Sequence, residues 1–140
     1  MKNILLIGCG HMGGSLMSGW SNSKNYTISV IDKKKYAILK RRNRNKKIKF
    51  FKSIDDINNQ NNFDYIIFAT RPLELTNVFK ELKNANFNKK SIAISVIAGK
   101  KTEIFKKHLF IKSVNCSIFS SFILNPAAIL WPPPFNIIFF

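Results

Sequence analysis

Residues 4–13 read Ile-Leu-Leu-Ile-Gly-Cys-Gly-His-Met-Gly, and this run constrains the fold more than any other. Four consecutive apolar residues describe a strand buried on both faces, the mark of a parallel sheet. Gly8, Gly10 and Gly13 then give the spacing G-x-G-x-x-G, and Ser15-Leu16-Met17 continues in a helix-compatible pattern. Gly8 lets the chain leave the strand in a tight turn. Gly10 has no side chain, so a pyrophosphate can approach the backbone. Gly13 lets the helix pack closely on the strand, with its N-terminal N–H groups and positive dipole end toward the phosphates. Strand, glycine turn and helix in that order point to a dinucleotide-binding unit. The alternative is a glycine-rich turn that binds nothing.

A second part of that fingerprint follows. Thr27-Ile28-Ser29-Val30-Ile31 is rich in β-branched residues and reads as a strand ending at Asp32. That acid comes 24 residues after Gly8, near the offset of about 20 expected for a carboxylate that accepts from a ribose hydroxyl. An Asp there repels the extra phosphate of NADP, whereas Lys33, Lys34 and Lys35 offset the repulsion. NADP or NAD therefore both stand as cofactors, with a lean to NAD. Asp32 also suits a helix N-cap, with the lysines as a solvated first turn; the two roles are compatible.

Tyr65–Ala69 is a short apolar run fit for a central strand, whose carboxyl end is where an open α/β sheet places ligands. Pro72 lacks an N–H and suits the first turn of a helix through Leu73, Leu75, Val78, Phe79 and Leu82. Arg71 is then either a ligand-facing cation, able to meet phosphate or ribose, or a surface arginine. Ile92, Ile94 and Val96 form another strand. Gly99 either permits close approach of the backbone to the nicotinamide or is a turn glycine.

These stretches together carry a resemblance. Gly8-Cys9-Gly10-His11-Met12-Gly13-Gly14-Ser15, continuing to Gly19-Trp20, is similar to the N-terminus of the pyrroline-5-carboxylate reductases, which make proline. Asp64-Tyr65-Ile66-Ile67-Phe68-Ala69-Thr70-Arg71-Pro72 resembles that family's strand ending in Ala-Val-Lys-Pro. Ser91-Ile92-Ala93-Ile94-Ser95-Val96-Ile97-Ala98-Gly99 resembles its next strand, ending in Ser-x-x-Ala-Gly. The likeness covers about residues 3–105. It implies a cofactor domain that reduces a cyclic imine by hydride transfer from NADPH or NADH. Gly8, Cys9, Gly10, His11, Met12 and Gly13 would lie at the pyrophosphate and Asp32 at the adenosine ribose. Ala69, Thr70, Arg71, Pro72, Ala98 and Gly99 would line the nicotinamide side.

Length and a 46% hydrophobic content allow one domain with a core. Strands are expected near 3–8, 27–31, 48–51, 65–69 and 91–97, and helices near 12–22, 34–43, 73–83 and 102–107. Their alternation implies an α/β, Rossmann-like, doubly wound parallel sheet with right-handed crossovers over residues 1–112. Asn58 to Asn62 and Lys83 to Lys90 read as polar connections.

Twenty-three Lys+Arg against seven Asp+Glu give a formal charge of +16, which invites a nucleic-acid reading. The densest cluster, Lys40-Arg41-Arg42-Asn43-Arg44-Asn45-Lys46-Lys47, lacks the paired aromatics of a stacking platform, and no helix-turn-helix or finger pattern surrounds it. Lys, Asn, Ile and Phe together are what AT-rich coding DNA produces. Nonspecific polyanion binding is then a side effect and no specific nucleic-acid partner is expected. Cys9 and Cys116 match no metal or redox spacing, so a reducing, cytoplasmic setting is expected. Cys9 is expected to pack as a small residue, and His11 and His108 to be exposed or capping, with no metal. There is no secretory signal pattern.

The last 28 residues differ from the rest. After Lys112 no charged residue appears, and Trp131-Pro132-Pro133-Pro134 precedes Phe135-Asn136-Ile137-Ile138-Phe139-Phe140. Asn125-Pro126 and the triple proline break any helix short of a roughly 20-residue span, so no membrane insertion is expected. The resemblance would place an Arg-x-Met-Pro-Asn segment here, followed by a helical domain for dimerisation and imine binding; Lys112-Ser113-Val114-Asn115 is a faint echo. A truncated or frameshifted chain is the simplest account and an interaction tail the alternative. On the first, the family's dimer does not form. Two function classes result: an imine-reducing oxidoreductase, incomplete and with no credible acid or base of its own, or a non-catalytic dinucleotide-binding remnant.

Overall fold

The computed structural model describes residues 1–43, 47–57, 62–83, 85, 87–109 and 113–116. Six strands, β1 (Lys2–Ile7), β2 (Tyr26–Ile31), β3 (Ile48–Phe51), β4 (Tyr65–Phe68), β5 (Ile92–Ser95) and β6 (Ser113–Cys116), form one sheet in the order β3-β2-β1-β4-β5-β6. Every pairing is parallel. Helices α1 (His11–Ser21), α2 (Tyr36–Arg42), α3 (Leu75–Leu82) and α4 (Thr102–Leu109) alternate with the strands. This is the expected doubly wound, Rossmann-like α/β fold.

The period-2 alternation of β1 explains the layering. Ile4 and Leu6 join Met17 and Trp20 of α1 with Ile28 and Val30 of β2 on one face. Leu5 and Ile7 join Ile66 and Phe68 of β4, Leu75, Phe79 and Leu82 of α3, and Phe105 and Leu109 of α4 on the other. Ile4, Leu5, Leu6 and Ile7 are essentially inaccessible, each worth about 1.5–3 kcal/mol of burial. Phe68, Phe79 and Phe105 interlock, with Phe105 edge-on to Phe68 at 5.1 Å and to Phe79 at 5.4 Å.

Because β1 pairs with both β2 and β4, the chain winds outward to β3, returns to the centre and winds outward again. The carboxyl ends of β1 and β4 are therefore the topological switch point, where open sheets place ligands. The arrangement puts the glycine turn after β1 beside Ala69 and Thr70 after β4.

Two expectations are corrected. The third helix begins at Leu75, not near residue 73: the Glu74 N–H donates to the Arg71 carbonyl at 2.9 Å, closing a turn through Pro72. Leu73 therefore lies outside the helix and is 92% exposed, not on its buried face. The sheet also continues past residue 112, since Ser113–Cys116 pairs with β5 in the register Ile92↔Ser113 to Ser95↔Cys116. The remainder of the tail, Arg44 to Lys46 of the basic cluster, and Asn58 to Asn61 of the polar connection lie outside the described residues.

Candidate functional site

The glycine turn is locked by the protein itself at two of its three positions. Gly8 has φ +92°, a left-handed conformation, and a Cβ there would meet the Ala69 carbonyl oxygen and Thr70 Cγ2, both at 2.8 Å. A Cβ at Gly13 would fall 2.1 Å from the Gly8 carbonyl oxygen, so α1 can cross the turn this closely only with glycine. Gly10 is different. A Cβ at Gly10 would meet nothing within 4 Å, and its φ of −73° is ordinary for any residue. The fold does not require glycine at residue 10; a ligand lying against the turn would.

Gly10 caps α1, and the first helical bond runs from the Gly14 N–H to the Gly10 carbonyl at 2.9 Å. No side chain caps this end and no acid occupies its first turn. Its leading N–H groups and positive dipole end are thus left for an external acceptor. His11 is exposed and Met12 is 37% exposed on the same turn. The His11 carbonyl accepts from Ser15 Oγ at 2.9 Å.

Asp32 holds this turn in place. Its Oδ2 accepts from the Cys9 N–H at 2.8 Å, and its Oδ1 accepts from the Lys34 and Lys35 N–H groups at 3.1 and 2.9 Å. The carboxylate therefore caps the turn that precedes α2, while the N-cap residue of α2 is Lys35. A carboxylate offers about four lone-pair sites, so one further donor, such as a ribose hydroxyl, can be accepted. Cys9 is buried in the layer beside α1, as its small size predicts. Burial pushes its thiol above the ordinary cysteine value, the Asp32 carboxylate adds to the shift, and Lys35 opposes it.

A cavity of about 480 Å³ opens at the switch point, lined by Gly8, Asp32 and Thr70 together with Lys33, Lys34, Glu74, Asn77, Val78 and Glu81. The structure thus brings Gly8, Asp32 and Thr70 together around one space. Ala69 abuts Gly8 and Gly13 at the rim. Arg71 and Pro72 are exposed in the turn that follows. Ala98 and Gly99, the latter at φ +72°, form an exposed turn after β5 and do not line this cavity. Thr70 Oγ1 is buried and has no hydrogen-bond partner among the described residues. Thr70 is also a lining residue of the cavity, and an unpartnered buried hydroxyl is a group that a bound ligand can satisfy.

The α3 side of the cavity is what sequence reasoning missed. Lys34 Nζ bonds Glu74 Oε1, and Lys33 Nζ lies 3.8 Å from Glu81 Oε1. The available signal was the i, i+7 spacing of the two glutamates, which sets them on one helical face, but nothing local ties them to lysines on another element. Among the described residues, no group of three His, Cys, Asp or Glu side chains is placed to hold a metal. No helix among them is long and apolar enough to cross a membrane.

Comparison with known proteins agrees with this geometry. The family model described as NADP oxidoreductase, coenzyme F420-dependent, matches residues 3–99. The cofactor class of that family is a nicotinamide dinucleotide, NADP or NAD. Among curated proteins, none matches the chain in sequence. Solved structures share the fold. D-mandelate dehydrogenase, in a ternary structure with NADH and anilino(oxo)acetate, aligns with TM-score 0.65 at 17% identity over 83% of this chain and 40% of its own. A 2-dehydropantoate 2-reductase from Enterococcus faecalis aligns with TM-score 0.63 at 22% identity over 84% of this chain and 41% of its own. A pyrroline-5-carboxylate reductase from Coxiella burnetii aligns with TM-score 0.61 at 23% identity over 81% of this chain and 42% of its own. The chain therefore spans about two fifths of the length of these structures.

Proposed function

Since the chain belongs to the family of coenzyme F420-dependent NADP oxidoreductases, we propose that it is the dinucleotide-binding domain of a pyrroline-5-carboxylate reductase-like oxidoreductase. The observation that carries dinucleotide binding is the contrast within the glycine turn: Gly8 and Gly13 are demanded by protein contacts, whereas Gly10 faces open space. The uncapped N-terminus of α1 and the orphaned Thr70 hydroxyl fit the same ligand. The finer assignment rests on Met12, Trp20, Arg71-Pro72 and Ala98-Gly99, which resemble the pyrroline-5-carboxylate reductase pattern, with Arg71 where that pattern has lysine.

In this reading the N–H groups opening α1 take the pyrophosphate, and Asp32 accepts from the adenosine ribose with its remaining lone pair. Thr70 hydrogen-bonds the part of the cofactor that crosses from β1 to β4. Arg71 stands at the ligand-facing strand end as a cation for phosphate or ribose. A nicotinamide held there would supply hydride to an imine carbon. The chain's own part is to fix the ring's position, because near-attack placement supplies several kcal/mol of such a barrier.

A second reading, dinucleotide binding without turnover, is favoured by the position of Ala98 and Gly99, which are expected on the nicotinamide side but do not line the cavity. Oxidation of NADH and NADPH in the presence of pyrroline-5-carboxylate, on protein whose cofactor binding has been verified, separates the two. Saturable turnover supports the reductase; binding with no turnover supports the second reading.

A further inference from the structure

Three of the chain's seven acidic residues, Asp32, Glu74 and Glu81, line the switch-point cavity. Three lysines, Lys33, Lys34 and Lys80, line it with them. The cavity wall is thus formally neutral in a chain of charge +16. The lysines that follow Asp32 are also committed. Lys34 is bonded to Glu74, and Lys33 lies against Glu81. Lys35 folds back to donate from Nζ to the Cys9 carbonyl at 3.1 Å.

The residues just after the β2 acid are those that would meet a phosphate on the adenosine 2′-oxygen, and such a phosphate needs cations there. We infer that Glu74, the N-cap of α3, and Glu81 on that helix set coenzyme selectivity: they hold Lys34 and Lys33 away from a 2′-phosphate and repel it themselves, so the cavity takes NADH in preference to NADPH. This rests on the dinucleotide reading above. Both ion pairs are solvent-exposed on the lysine side, and exposed pairs are weak. Releasing one lysine therefore changes selectivity by about fivefold.

Calorimetric titration with NADH and with NADPH tests this on the wild-type chain, Glu74→Gln, and the double variant Glu74→Gln with Lys34→Gln. The NADPH-to-NADH affinity ratio should rise about fivefold in Glu74→Gln and fall back in the double variant. Glu81→Gln, which frees Lys33 instead, provides the same readout if Glu74→Gln does not fold. Binding of both coenzymes with an unchanged ratio overturns the inference and leaves the dinucleotide reading standing. A gain that survives removal of Lys34 overturns the held-lysine mechanism. Failure of the folded wild type to bind either coenzyme overturns both readings.

Discussion

The Cys9 N–H donates to Asp32 Oδ2 at 2.8 Å, so the residue that follows the second strand fixes the turn that follows the first. The same carboxylate accepts from the Lys34 and Lys35 amides. It thereby ties together the two backbone segments expected to flank the cofactor.

Asp32→Ser should remove most of these bonds, because one hydroxyl cannot replace two carboxylate oxygens. Hydrogen bonds to a charged group are worth about 1.5–3 kcal/mol, and a loss of that order is expected in urea denaturation. The NADPH-to-NADH affinity ratio should rise modestly, since a carboxylate beside a phosphate is repulsive and a hydroxyl donates. An unchanged denaturation midpoint would show that the Asp32 contacts are not formed in solution.

Gly13→Ala would place a methyl carbon 2.1 Å from the Gly8 carbonyl oxygen, and that oxygen belongs to backbone that has no rotamer to change. Overpacking of this kind costs about 1–3 kcal/mol, and α1 must shift from the sheet. Equilibrium unfolding should therefore show a clear loss of stability. Wild-type stability in Gly13→Ala would contradict the close crossing of helix and turn.

The raised Cys9 thiol, buried and beside the Asp32 carboxylate, should carry little thiolate near neutral pH. In a Cys116→Ser background, alkylation by iodoacetamide at pH 8 should be slow in the folded protein and fast in urea. Rapid modification of the folded chain would mean that the turn is open.

Asp64 accepts from Lys2 Nζ and from the Asn3 N–H, each at 2.8 Å, and the Lys2 bond is the largest cause holding its carboxyl below the usual range. A depressed carboxyl adds stability above its unfolded pKa and loses it as pH falls through the folded value. Lys2→Met should therefore destabilise the chain near neutral pH, with the difference from wild type vanishing as Asp64 protonates below about pH 4. A difference that persists in acid would assign the effect to packing instead.

Much of the fold is legible because buried parallel strands and amphipathic helices write their periods into the sequence. The strands at Lys2–Ile7, Tyr26–Ile31, Ile48–Phe51 and Tyr65–Phe68 lie within a residue of the expected ranges 3–8, 27–31, 48–51 and 65–69. Less legible features share a physical reason, namely weak local patterning. Ser113–Cys116 has a single β-branched residue, and backbone pairing with β5 makes it a strand. Pro72 suits a turn or a helical first turn equally well, and the Arg71–Glu74 hydrogen bond decides for the turn. The Lys34–Glu74 pair joins residues 40 apart, and such surface pairing has no period to read. Within the site, Gly8, Asp32 and Thr70 converge on one cavity, while the Glu74 and Glu81 carboxylates that line it with them emerge only from the tertiary packing.

The central claim is that Gly10 is kept free by a ligand and not by the fold. Gly10→Val tests it most directly, because a Cβ there meets no protein atom within 4 Å beyond its own chain neighbours, yet the side chain would occupy the expected path of the pyrophosphate. The loss of a glycine N-cap should cost at most about 1 kcal/mol. Calorimetric titration of folded wild type and folded Gly10→Val with NADH and NADPH should show saturable binding to the first and none to the second. Equal binding by both proteins, or no binding by the wild type, would contradict the account.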